Sequence, residues 1–390
     1  MTTSRPSVAY VVPSLSAGDT SHMAHLPRFL EALAGHCAVH VVIERAAGVP
    51  HIAGAARVVV LPGGGRLRRA AALVRHARAL RRLGCRDVFV RISVSAGLTL
   101  GAVGRLLGLR VHYWQSGQSH HLVPSWEAPV TRARFEGQIA LQRLVMRLAW
   151  RVVTGPERMA AHYVRHFGVP PERLTILYND VDVDALRARA AATSPRAARA
   201  RLGLPAEDPV VLFVGRVSPL KGAYHLAPLA DALAARAPNA RLLVVGATSH
   251  ASDAAAELAR RPNVRLDGAR ANAALADYFV AADVFVLPSE SEGFPRVVAE
   301  AMAYGVPVAA FDVGGVRDLL PEGQQAFVVP RGDVGRLADA VAALLADAEG
   351  CQALVAESAR QVERFTPERV AAMFADRILG VPAAAAEGGR

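Results

Sequence analysis

The sequence is poor in the residues that mark several large classes of protein. Only three of its 390 residues are cysteine, Cys37, Cys85 and Cys351. They form no C-x-x-C pair, which excludes a disulfide-framed domain and points to a reducing, cytoplasmic home. Aromatic residues make up 6%, and lysine occurs once, at Lys221; the other 44 basic side chains are arginine. Long apolar runs are missing too: the stretch 96–109 is broken by Arg105 and too short to span a bilayer. Residues 1–12 lack the apolar run and cleavage site of a secretory signal, so none is expected. What is present is 52% hydrophobic content, rich in Ala, Val and Leu. That is too apolar for disorder and enough for two domains, each with its own core.

The net charge of +11 is uneven: 25 arginines face 11 acids through Arg189, and 20 basic residues face 23 acids beyond it. An acidic partner would explain this, and so would arginine solvated on helix faces. The latter suits segment 66–82, whose apolar residues recur at helical spacing without the bulky aromatic anchors of a lipid-binding helix. Peripheral membrane contact is therefore not favoured, and no nucleic acid is expected.

Short β-branched runs alternate with helical stretches, the sign of parallel sheets in an α/β fold. Strands are expected at 8–12, 39–43, 58–61, 88–92, 111–114, 151–154 and 174–178, then at 210–214, 241–245, 264–266, 284–287, 306–311 and 327–329. Between the two series, 186–207 is rich in Ala and Arg and reads as a surface helix plus linker. Two doubly wound domains follow, with a cleft between them as the default ligand site.

Two stretches carry chemistry. After the strand 284–287, Glu292, Gly293 and Phe294 form a loop before Pro295, which suits the start of a helix. Backbone N–H groups at such a start can meet hydroxyls or anionic oxygens. Glu300 follows among apolar residues, and a carboxylate there needs a partner: paired ligand hydroxyls such as a ribose, or a structural arginine such as Arg317. After the strand 210–214, Gly215, Arg216 and Lys221 place two cations on a glycine-flanked loop. Such a pair suits a diphosphate and the charge growing on one as it departs.

The joint pattern, GR-x4-KG followed by Glu292 and Glu300 within SEGFP…EAMAYGVPV, resembles the retaining glycosyltransferases of the GT-B fold, family 4. The resemblance is firmest over 209–333. It implies an α/β, GT-B fold of two facing Rossmann-like domains with an interdomain cleft. Residues 1–185 would bind the acceptor, 186–207 link, and 208–365 bind the nucleotide sugar; a helix in 366–380 would cross back, and 381–390 would form a mobile tail. By resemblance Arg216, Lys221 and Glu292 are catalytic. The donor is held by Gly215, Arg216, Lys221, Glu292, Gly293, Phe294 and, on the ribose, Glu300. The reaction moves a hexose or N-acetylhexosamine from a nucleoside-diphosphate sugar, UDP-linked, to an acceptor hydroxyl on the face the diphosphate leaves. No cofactor or metal is required.

The first half departs from the family pattern. Only Gly18 remains of a Gly-Gly loop, with Asp19 where the second glycine would stand. Gln115 and Ser116 stand where family members carry a histidine, with His120 shortly after. Gly18, Asp19, Gln115, Ser116 and His120 are the expected acceptor contacts, and Asp19 would suit an amine-bearing small metabolite such as an aminocyclitol. A membrane lipid or cell-envelope glycan is the alternative acceptor, and a sugar-nucleotide epimerase of the same fold the alternative enzyme. Weaker signals have plain readings: Asp180, Asp182 and Asp184 as a hinge turn rather than a metal motif, Gly63–Gly65 as a turn, and Gly101 and Gly104 as helix packing. His22 and His25 either face the cleft or pack.

Overall fold

The computed structural model describes residues 5–16, 23–115, 117, 132–249 and 251–382. Its described residues divide into two compact units: the first lies within 1–116, 130–180 and 366–390, and the second is Gly117 with Val181–Phe365.

The first unit is built on seven strands: β1 (Ser7–Val12), β2 (Ala38–Ile43), β3 (Arg57–Val60), β4 (Asp87–Arg91), β5 (Arg110–Trp114), β6 (Arg151–Thr154) and β7 (Leu174–Ile176). All neighbours are parallel, in the order β3-β2-β1-β4-β5-β6-β7. Parallel strands need crossovers, and the intervening helices cover both faces, so the strands read as nearly continuous apolar runs. One face packs against Arg66–Arg82, Val94–Gly104 and Glu157–Phe167 through Leu73, Leu80, Leu100, Met159 and Tyr163. A Cβ on Gly101 would stand 2.8 Å from the Leu148 Cβ, and one on Gly104 2.8 Å from Val111 Cγ2, so both glycines serve close packing. The Phe374 ring lies 4.8 Å from Phe89, 6.1 Å from Tyr10 and 6.2 Å from Phe29. The helix Pro367–Leu379 that carries Phe374 packs on Leu26–His36.

The second unit repeats the plan with six parallel strands: β8 (Val210–Val214), β9 (Arg241–Val245), β10 (Val264–Leu266), β11 (Val284–Leu287), β12 (Val308–Phe311) and β13 (Val328–Val329). Their order is β10-β9-β8-β11-β12-β13. The strand order reverses beside β1 in the first sheet and beside β8 in the second, and ligands of such sheets gather at the carboxyl ends there.

The expected surface helix plus linker at 186–207 is two helices. Asp182 caps Val183–Ala191 by accepting from the Ala185 N–H, and Ser194 caps Pro195–Leu202 by accepting from the Ala197 N–H. These helices pack on Arg296–Tyr304 and Leu275–Ala281 inside the second unit, whose long segment begins at Val181 rather than at 208. Ala-rich sequence with two cap residues folds as helix even where bulky apolar residues are few. Asp182 is thus occupied as a helix cap.

Candidate active site

In the second unit, four loops leave the carboxyl ends of β8, β9, β11 and β12 and are stitched together through their backbones. The Glu290 N–H donates to Leu220 O at 3.0 Å, Val217 N–H to Ala247 O at 2.8 Å, and Gly315 N–H to Gly293 O at 3.1 Å. Glycine makes this density possible. A Cβ on Gly222 would stand 1.9 Å from Pro288 O, and one on Gly314, at φ +50°, 1.8 Å from Glu292 O. No other residue fits either place without moving a loop.

This packing brings Lys221 and Glu292, 71 residues apart, into contact. Lys221 Nζ donates to Glu292 Oε1 at 2.6 Å, and the same oxygen accepts from Ser289 Oγ at 2.7 Å. Glu292 is 7% exposed, so its charge is compensated by an ammonium and a hydroxyl. Arg216, two residues past the end of β8, is exposed and has no side-chain partner among the described residues. Phe294 is buried edge-on to Phe365, with ring centres 5.2 Å apart, which fixes the loop behind Glu292 and Gly293. Beside it, Glu290 pairs with His225 and lies 3.7 Å from Arg331 Nε.

Glu300 is partly exposed on Arg296–Tyr304, with Oε1 3.8 Å from Arg296 Nη2. The structural partner that the sequence offered, Arg317, is engaged elsewhere, donating to Asp312 Oδ2 at 2.8 Å and Val328 O at 2.8 Å. Glu300 therefore keeps capacity to accept from ligand hydroxyls.

In the first unit, Gln115 follows β5 directly, and its Oε1 accepts from Tyr113 Oη at 3.3 Å. Gly18, Asp19, Ser116 and His120 lie outside the described residues, as does His22. His25 belongs to a buried polar network centred on Arg91. That guanidinium donates to Tyr10 Oη at 3.0 Å and Asn179 Oδ1 at 2.9 Å, and Nη2 lies 3.1 Å from His25 Nε2. It also sits 3.6 Å over the Trp114 ring, a cation–π contact. The next residue, Ile92, has φ +53°, a strained conformation for a β-branched side chain, and the Ser93 N–H closes a tight turn onto Arg91 O at 2.7 Å. Across β1, Glu44 follows β2. Its Oε2 accepts from Ser95 Oγ at 3.2 Å, while Oε1, also buried, has no partner among the described residues.

Residues 195–361 match the family model for glycosyl transferases group 1. A D-inositol 3-phosphate glycosyltransferase of Thermobispora bispora is 33% identical over 305 residues, 70% of this chain and 70% of that protein. The corresponding protein of Xylanimonas cellulosilytica is 33% identical over 297 residues, 69% and 70%. The chain belongs to the group 1 glycosyltransferases. Among solved structures, HepE of Anabaena in complex with UDP matches with a TM-score of 0.72 at 18% identity, covering 96% of this chain and all of that one. The sucrose-phosphate synthase of Thermosynechococcus elongatus matches with a TM-score of 0.70 at 24% identity, covering 94% and 96%. Their fold, GT-B, is the fold of this glycosyltransferase.

Neither Arg91 nor Glu44 stands out in the sequence of this glycosyltransferase. The only local signal was a charged residue at or just past the end of a β-branched run. Their importance comes from strand order, because β2 and β4 flank β1 and so bring Glu44 and Ser95 together.

Proposed function

We propose that the protein transfers a hexose or N-acetylhexosamine from UDP to a hydroxyl of a small cyclitol-like acceptor, with retention at the transferred carbon. The observation that carries this reading is the 2.6 Å pair of Lys221 and Glu292 beside Arg216, which has no side-chain partner among the described residues. A diphosphate arriving there meets one ammonium and one guanidinium on loops already locked in place, so little reorganisation is needed as charge grows in the transition state. The bond between the sugar carbon and the diphosphate oxygen breaks, and the acceptor oxygen bonds the same face. The acceptor proton passes to the departing diphosphate oxygen. Glu292 and the Gly293 and Phe294 amides contact the sugar, and Glu300 the ribose. HepE, which shares the fold, is a UDP complex.

The relatives' names, with inositol 3-phosphate, support a cyclitol acceptor. Glu44, with one carboxylate oxygen unengaged among the described residues, and Asp19 favour an acceptor carrying an amine over one carrying a phosphate. The test has two steps. Thermal shift with UDP-, GDP- and ADP-sugars identifies the donor, and only the UDP-sugars are expected to raise Tm by several degrees. Nucleotide release is then followed with an aminocyclitol, with inositol and with inositol 3-phosphate. The aminocyclitol should give the highest kcat/KM; a preference for the phosphate would reverse the acceptor assignment. UDP-sugar consumption without any acceptor would instead reveal an epimerase.

A further inference from the structure

The first unit holds a concavity at the amino ends of its strands, where β5 and β6 begin. Arg110 and Arg151 are the first residues of those strands, and Arg173 immediately precedes β7. With Arg105, Trp150 and Glu172 they line a cavity of about 650 Å3, a volume typical of small-ligand sites. Four guanidinium groups thus share this space with one carboxylate.

The four cations are not equally committed. Arg110 is paired with Asp87 at 2.5 Å. Arg173 donates to the carbonyls of Met146 and Ala149, which fixes it at the cavity wall. Among the described residues Arg151 reaches only the Thr175 hydroxyl, at 3.4 Å. Arg105 is exposed and has no side-chain partner among the described residues. Burial, then the neighbouring charge of Arg105, pushes Arg173 below its ordinary value, with Glu172 opposing; four cations against one acid leave the cavity with an excess of positive charge that an anion would relieve. Trp150 is 58% exposed, and an indole left in solvent beside cations offers a flat apolar face.

We propose that this cavity binds a phosphate-bearing ligand, whose phosphate is held by Arg105 and Arg151 and whose remaining body rests on Trp150. Planar guanidinium forks match phosphate oxygens two at a time, whereas one carboxylate would leave most of these donors unused. A free phosphate ester and a phospholipid headgroup present the same chemistry, and the experiment separates them.

The full chain, saturated with UDP to occupy the second unit, is titrated calorimetrically with glycerol 3-phosphate. In parallel it is sedimented with phosphatidylglycerol or phosphatidylcholine vesicles. Saturable binding of glycerol 3-phosphate, weakened about tenfold by Arg105→Ala and by Trp150→Ala, is expected. UDP-induced stabilisation should be unchanged in both variants, which shows that they fold. Sedimentation with phosphatidylglycerol alone, lost in the same variants, would assign the site to a lipid headgroup. No binding of either probe, or binding indifferent to Arg105, overturns the proposal.

Discussion

Lys221 and Glu292 depend on each other. Removing the ammonium leaves a 7%-exposed carboxylate with only the Ser289 hydroxyl for compensation, so Lys221→Ala both disturbs the loop and removes a diphosphate contact. Lys221→Ala should lower kcat/KM for nucleotide release at least about a hundredfold, and Lys221→Arg should not restore it, because a planar fork cannot occupy the place of a point charge. Glu300→Ala should act differently, raising the donor KM with a smaller change in kcat, as expected for a contact made equally in ground and transition states. A second residue-scale expectation concerns acid. Burial, then the charges of His166 and Arg165, lowers His162 from 6.5 to about 4. Between those values the unfolded chain binds a proton at this site that the folded chain does not, so stability falls as pH drops from 6.5 towards 4. Tm measured across that window should decline, and His162→Asn should flatten the decline.

At the scale of elements, the glycines hold the site as firmly as the charges do. Gly314→Ala would force a methyl into Glu292 O at a positive φ, and the loop carrying Glu292 would have to move. Nucleotide release should fall by an order of magnitude or more while Tm drops by only a few degrees, roughly 1–3 kcal/mol. The strands of both sheets were legible in the sequence, since buried parallel strands write themselves as β-branched runs. The loops that carry Gly215, Arg216, Lys221 and Glu292 were legible as well, because each follows a β-branched run. Of the helices at 183–191 and 195–202 only one was legible, because their Ala and Arg content mimics a solvated connector until the two caps are recognised. The Arg91 and Glu44 cluster was hidden for another reason: strand order, which no local pattern encodes, decides which loop ends meet.

At the scale of the molecule, the first unit is discontinuous in sequence. The chain enters the second unit at Val181 and leaves it at Phe365, and these two residues are joined by a 2.8 Å hydrogen bond from the Val181 N–H to Phe365 O. The closing helix then brings Phe374 onto Tyr10, Phe29 and Phe89. Burying such a ring contributes about 1.5–3 kcal/mol, and each aromatic pair about 0.5–1.5 kcal/mol more. Residues 1–180 expressed alone should therefore be poorly soluble. The same segment joined to 366–382 by a short flexible linker should give a cooperative melting transition by circular dichroism. Nature's choice of arginine almost everywhere else has a practical corollary. Lys221 holds the one ε-amine of the whole polypeptide, so an acylating dye at mildly alkaline pH would find a single side-chain address, on the loop where the proposed diphosphate would bind.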